Sequence, residues 1–153
     1  MCGIVGYYGP KDTTDVLIGG LKKLEYRGYD SSGVAVLNGK TFDVVRAEGK
    51  LGNLENKLSQ KDFKGRLGIA HTRWATHGVP SERNAHPHTV EGVCLVHNGI
   101  IENYGTIKQT LLIKGHTFNS DTDTEVLIHL IEEILEVTGL ELRKAVRVTL
   151  DRV

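Results

Sequence analysis

The sequence predicts a layered α+β domain, and three observations carry that expectation. The elements run strand, helix, hairpin, more strands and then helices, rather than as repeated strand–helix units. Asn38-Gly39-Lys40 joins two apolar runs, "GVAVLN" and "TFDVVRA", which is a strong hairpin signal. "SDTDTEVLIHLIEEILEVTG" places Leu127, Leu130, Ile131, Ile134 and Leu135 on one helical face, with Asp and Thr caps ahead and Gly139 behind.

Taken in order, residues 3–8 ("GIVGYY") read as a strand. A helix follows, capped by Asp12 or Thr13, with Val16, Leu17, Leu21 and Leu24 near one face and Gly28 past its end. Gly19 and Gly20 each weaken a helix by about 1 kcal/mol, so their presence signals close packing. The hairpin spans 33–38 and 41–47, and 53–59 reads as a short helix. Strands are expected at 66–72 and 92–99. Between them, "RWATHGVPSERNAHPH" is polar, carries two prolines and fits neither regular period; a loop of that length in a compact domain is usually functional. Residues 103–114 form an amphipathic helix closed by Gly115, and a last helix runs from near Leu140 to the end. That end, "LRKAVRVTLDRV", lacks a cap, a glycine or a polar tail and reads as a cut inside a domain.

The chain has 153 residues, 39% hydrophobic and 25% charged, enough for one packed domain. Its 19 basic and 19 acidic side chains cancel, which argues against a nucleic-acid partner or an anionic membrane. No apolar stretch is long enough to span a bilayer, and the N-terminus has no signal-like core. Two cysteines without a signal peptide do not suggest disulfides, so a reducing, cytoplasmic setting is expected. Cys94 lies in an apolar run and reads as a core thiol.

Cys2 directly follows the initiator methionine. Removal of Met1 leaves a thiol and a free α-amine on one residue. An α-amine ionises at about 7.7–8.0, so at neutral pH it can serve as the base for its own nucleophile. Asn98-Gly99 closes an apolar strand and has two readings: a plain turn, or a side-chain amide and a backbone N–H aimed at a developing oxyanion. Arg73 offers a bidentate fork for a carboxylate, and Trp74, in a polar loop, suits a lid. Of Asp121 and Asp123, one is expected to cap a helix and the other to hold an ammonium group. An arginine for a carboxylate and an aspartate for an amine describe an amino-acid pocket. Seven histidines, several of them near the long loop, raise a metal reading, but no spacing matches a zinc pattern and none is expected there.

"CGIVG", "LEYRGYDSSG", "AHTRWATHG", "HNGIIEN" and "SDTDTEV" occur in the order seen in class II glutamine amidotransferases and span residues 2–126. These forms most resemble the N-terminal glutaminase domain of the glutamine–fructose-6-phosphate aminotransferases. The resemblance implies an N-terminal-nucleophile (Ntn) hydrolase fold, a four-layer αββα sandwich, incomplete at the C-terminus because the family's domain continues past Val153. It assigns residues 1–153 to the N-terminal part of the amidotransferase domain, without the sugar-phosphate isomerase domain. It implies glutamine hydrolysis to glutamate and ammonia through a Cys2 γ-glutamyl thioester, with the Cys2 amine as base and no cofactor. Asn98 and Gly99 become the oxyanion hole, Arg73 the carboxylate ligand and Asp123 the amine ligand. Trp74, Thr76 and His77 line the pocket, and Arg27 lies near the nucleophile. The implied partners are L-glutamine, fructose 6-phosphate through the isomerase domain only, and a second copy in a homodimer. Two readings stand beside this one: a non-catalytic glutamine-binding remnant, and the amidotransferase domain of another class II enzyme.

Overall fold

A computed structural model describes residues 2–153. Met1, whose removal the nucleophile reading requires, lies outside the described residues. The chain runs β1 (Gly3–Tyr8), α1 (Thr13–Leu24), a 3-10 turn (Glu25–Arg27), β2 (Ser31–Asn38), β3 (Thr41–Glu48), α2 (Leu51–Leu58) and β4 (Leu67–Arg73). After the long loop come β5 (His88–Val90), β6 (Val93–Leu95), α3 (Tyr104–Ile113), α4 (Glu125–Thr138) and α5 (Leu142–Leu150).

β1, β4, β2 and β3 form an antiparallel sheet in that order, and β5 pairs with β6 in a second, two-stranded sheet. Alternation along β2 assigns its two faces. Val34 and Val36 join Val45, Ala47 and Ala70 beneath Leu17, Leu21, Leu51 and Leu54 of α1 and α2. The opposite face carries Gly33 and Ala35 and meets the second sheet; a Cβ on Gly33 would sit 2.2 Å from the His86 carbonyl oxygen. Beyond β5 and β6, Val93 packs with Ile128, Ile131 and Ile134 of α4 and Ala145 of α5. Ile101 and Leu111 pack on Val126, Leu127 and Leu130. The layers are therefore helices, sheet, sheet, helices.

Of the two α1 glycines, Gly20 has the packing reason expected, since a Cβ there would lie 2.8 Å from both Val5 methyls, whereas Gly19 has open space around its Cβ position. Asp12 is the α1 cap, accepting the Asp15 N–H at 2.9 Å, and Gly139 ends α4 at φ 65°. Three expectations need correction. The strand placed at 92–99 is only Val93–Leu95, because the chain turns off the short sheet to deliver residues 97–99 to the site. A strand missed by the periodicity, β5, begins at His88 and pairs in register with β6. Neither Asp121 nor Asp123 caps α4. Asp121 pairs with Arg83 at 3.2 Å, and Asp123 accepts the Ile101 N–H at 2.8 Å.

Candidate active site

The edge where the two sheets meet gathers residues from distant parts of the chain. β1 and β4 pair so that Gly3 lies opposite Thr72, which brings Cys2 to the turn after Arg73. The Trp74 N–H donates to Cys2 Sγ at 3.2 Å. Gly28 permits this approach, because a Cβ there would stand 2.7 Å from the Arg73 carbonyl oxygen. Asn98 Nδ2 donates to the Cys2 carbonyl oxygen at 3.2 Å. The other end of that amide is held too: His71 Nε2 donates to Asn98 Oδ1 at 2.9 Å.

His71 belongs to a stack between the sheets. Its ring centroid is 4.2 Å from that of His86, which lies 4.7 Å from that of His88. Burial pushes His71 and His88 down to about 4, and His86 well below the ordinary imidazole range. The stack is therefore neutral at pH 7. His86 Nδ1 accepts the His97 N–H at 3.4 Å, and His88 Nε2 shares a 2.9 Å hydrogen bond with Thr122 Oγ1. His71, His86 and His88 thus serve as neutral hydrogen-bonding spacers between the sheets.

Arg73 is buried, at 4% exposure. Its Nη2 donates to the carbonyls of His77 and, at 2.9 Å, Gly78, tying the 74–78 loop back on the strand that launches it. Its Nη1 makes no hydrogen bond with the described residues and lies 3.9 Å from Asp30 Oδ1. Asp30 also accepts the Ala75 N–H. Asp123 Oδ2 lies 3.9 Å from His77 Nδ1, and the His77 ring stands edge-on to Tyr104 at 5.1 Å. The loop presenting Asp123 is cinched by Glu125, whose carboxylate accepts the N–H groups of Asn119 and Ser120, each at 2.7 Å. Burial works to raise that carboxyl, but the hydrogen bonds outweigh it and hold it at about 2.

Cys2, Arg73, Trp74, Thr76, Gly99 and Asp123 all line one crevice, together with members of the histidine stack. Its free volume is about 20 Å³, room for one water molecule. Trp74 lies over Tyr29, ring edge to face at 5.5 Å. Arg27 is not among the lining residues; it sits in the 3-10 turn just before Gly28. Cys94 is remote from the crevice, and burial pushes its thiol up to about 12. Sequence reasoning passed over Asp30, His71 and Glu125 as site residues, because each acts by holding another group in place: Asp30 the Ala75 N–H, His71 the Asn98 amide, and Glu125 the loop before Asp123.

A family model described as a glutamine amidotransferase domain matches residues 55–142. The chain belongs to the glutamine amidotransferase family. It is 56% identical over 140 residues to the glutamine–fructose-6-phosphate aminotransferase (isomerizing) of Helicobacter pylori, covering 91% of this chain and 24% of that protein. The similarity to the Pyrococcus horikoshii protein of the same name is 55% over 142 residues, again 91% and 24%. The chain thus spans about a quarter of the length of the curated relatives it matches. Among solved structures, the glutamine phosphoribosylpyrophosphate amidotransferase of B. subtilis, complexed with ADP and GMP, superimposes with a TM-score of 0.81 at 27% identity, over 97% of this chain and 32% of that one. A structure described as the allosteric regulatory enzyme of purine biosynthesis gives 0.84 at 26%, with the same coverage. The α+β layers described above are those of this amidotransferase fold, the Ntn αββα sandwich. No helix among the described residues is long and apolar enough to cross a membrane.

Proposed function

We propose that this amidotransferase domain hydrolyses glutamine at Cys2. The observation that carries the reading is the meeting of a thiol and a fixed amide donor 96 residues apart in sequence: Asn98 bonds the Cys2 carbonyl on one side and His71 on the other. With Met1 removed, the α-amine of Cys2 takes the thiol proton as Sγ attacks the glutamine side-chain carbonyl carbon. Asn98 Nδ2 and the Gly99 N–H stabilise the resulting oxyanion. The protonated α-amine then gives its proton to the departing nitrogen, releasing ammonia and leaving a γ-glutamyl thioester. Water, deprotonated by the same amine, attacks the thioester and frees glutamate and the thiol.

Arg73 Nη1, which has hydrogen-bonding capacity to spare, takes the substrate α-carboxylate, and Asp123 takes the α-ammonium. Thr76 lines the pocket, His77 stands outside its lining with Nδ1 3.9 Å from Asp123, and Arg27 supports the turn beside the nucleophile. A crevice with room for one water cannot admit glutamine, so the loop from Trp74 to Gly78 opens to load substrate and closes behind it. As part of a longer chain like its curated relatives, the domain supplies ammonia for amination of fructose 6-phosphate by an isomerase domain, in a homodimeric, cytoplasmic enzyme.

The test is the intact mass of the purified protein before and after treatment with a diazo-ketone norleucine, beside Cys2→Ala. The expected result is a mass lacking methionine and a single adduct that Cys2→Ala abolishes. An adduct that persists in Cys2→Ala, or glutamine hydrolysis by that variant, would refute Cys2 as the nucleophile. Glutamine binding without any adduct favours the non-catalytic alternative.

A further inference from the structure

On the outer helical layer, away from the crevice, His116 in the α3–α4 connection meets His129, Glu132 and Glu133 of α4. The ligating atoms of His116, His129 and Glu132 lie within 4.8 Å of one another. His116 Nδ1 is 3.3 Å and His129 Nδ1 3.0 Å from the same oxygen, Glu132 Oε2. The far side of each ring also faces a carboxylate: His116 Nε2 is 2.9 Å from Glu133 Oε2, and His129 Nε2 is 3.7 Å from Glu125 Oε1. His129 is 7% exposed and His116 11%.

A neutral imidazole has one N–H and one lone pair. Each ring here has a carboxylate oxygen at both nitrogens, so a neutral ring must aim one lone pair at an anion. Three carboxylates converge, with Lys114 paired to Glu133 and the Asn119 and Ser120 N–H groups donating to Glu125. A divalent cation beside Glu132 removes both conflicts. The two Nδ1 lone pairs and Glu132 Oε2 become ligands, while the His116 Nε2–H donates outward to Glu133 at 2.9 Å and the His129 Nε2–H faces Glu125 at 3.7 Å, a gap that a small shift would close. That is the carboxylate–histidine–metal arrangement that sets the tautomer of a ligating histidine. Bonds of about 2.0–2.2 Å at tetrahedral angles place neighbouring ligand atoms about 3.3–3.6 Å apart, close to the two nitrogen–oxygen spacings of 3.3 and 3.0 Å, with the two nitrogens within 4.8 Å of each other.

We infer that His116, His129 and Glu132 form a site for a zinc-class divalent cation, oriented by Glu133 and Glu125, that clamps the α3–α4 connection onto α4. A fourth position opens into a cleft of about 400 Å³ lined by Lys114, Thr117 and Glu136 and is left for water. The site shares no residue with the crevice at Cys2.

Zinc titration against a chromogenic chelator, slightly above neutral pH, tests this in the Cys2→Ala background, so that the N-terminal thiol does not compete. One zinc per chain is expected, with a melting temperature that climbs with zinc concentration. Cobalt substitution should give tetrahedral visible bands without a thiolate charge-transfer band. Glu133→Gln should weaken binding about 10–100-fold. His116→Ala should abolish it, and so should Glu132→Gln, a near-isosteric change that guards against misfolding in the first variant. Absence of saturable zinc binding, or binding that survives both substitutions, would overturn the inference and leave a pair of imidazolium–carboxylate contacts.

Discussion

Replacing His71 with leucine tests whether the histidine stack works through Asn98. His71 is fully buried, and its donation to Asn98 Oδ1 at 2.9 Å is the contact that orients the amide. Leucine keeps the bulk and removes the donor. Asn98 is exposed, so water can take the vacated Oδ1 and the loss is that of an ordinary hydrogen bond, about 0.5–1.5 kcal/mol. If that cost falls on the orientation of Nδ2 in the transition state, kcat drops about 2–13-fold, at about 1.36 kcal/mol per tenfold. Asn98→Ala removes the donor outright and is expected to cost about 10²–10³ in kcat. KM should change little in either variant, because the oxyanion forms only after binding. The decisive comparison is the double variant, assayed by glutamate release under saturating glutamine, with urea melts to confirm folding. If His71 acts only by holding Asn98, the double variant is no slower than Asn98→Ala alone. A further drop equal to the His71→Leu effect, or an effect confined to KM, would refute the positioning argument.

Three other outcomes follow from the geometry. Because burial holds His71 and His88 at about 4, while an unfolded histidine titrates at about 6.5, the unfolded chain binds more protons between those values. Stability is therefore intact above about pH 6.5 and falls as the pH drops toward about 4, by up to about 3 kcal/mol per histidine; equal urea midpoints at roughly pH 5 and roughly pH 7 would contradict this. Iodoacetamide should label Cys2 in the native protein and reach Cys94, with its thiol at about 12, only in urea; peptide mapping distinguishes the two. Gly28→Ala puts a methyl 2.7 Å from the Arg73 carbonyl oxygen and should cost about 1–3 kcal/mol by denaturant melting while displacing Trp74 from Cys2; a wild-type midpoint would mean that the turn yields freely.

Much of this protein is determined by sequence alone, wherever the physics is local. The Asn38-Gly39 hairpin, the Asp12 cap, the Gly139 terminator and the apolar face of α4 depend on residues a few positions apart, and each is found where those residues indicate. The candidate groups that the fold gathers at one crevice, Cys2, Arg73 and Gly99, were also legible, because a thiol beside the initiator, an Asn-Gly pair and an arginine at the mouth of a polar loop are each unusual in their settings. Long-range pairing is not legible in that way. β5 and β6 are three residues each, too short for a period to emerge, and they exist because α4 covers them and His88 finds Leu95 across the ladder. The roles of Asp30, His71 and Glu125 likewise depend on distances of 3 Å between segments that sequence order keeps apart. Whether an aspartate caps a helix or turns inward to hold a backbone N–H, as Asp123 holds Ile101, depends on what the rest of the chain places beside it. Composition and spacing determine which groups are present and which local elements they build; only tertiary packing, by excluding water and fixing partners, decides what each group does.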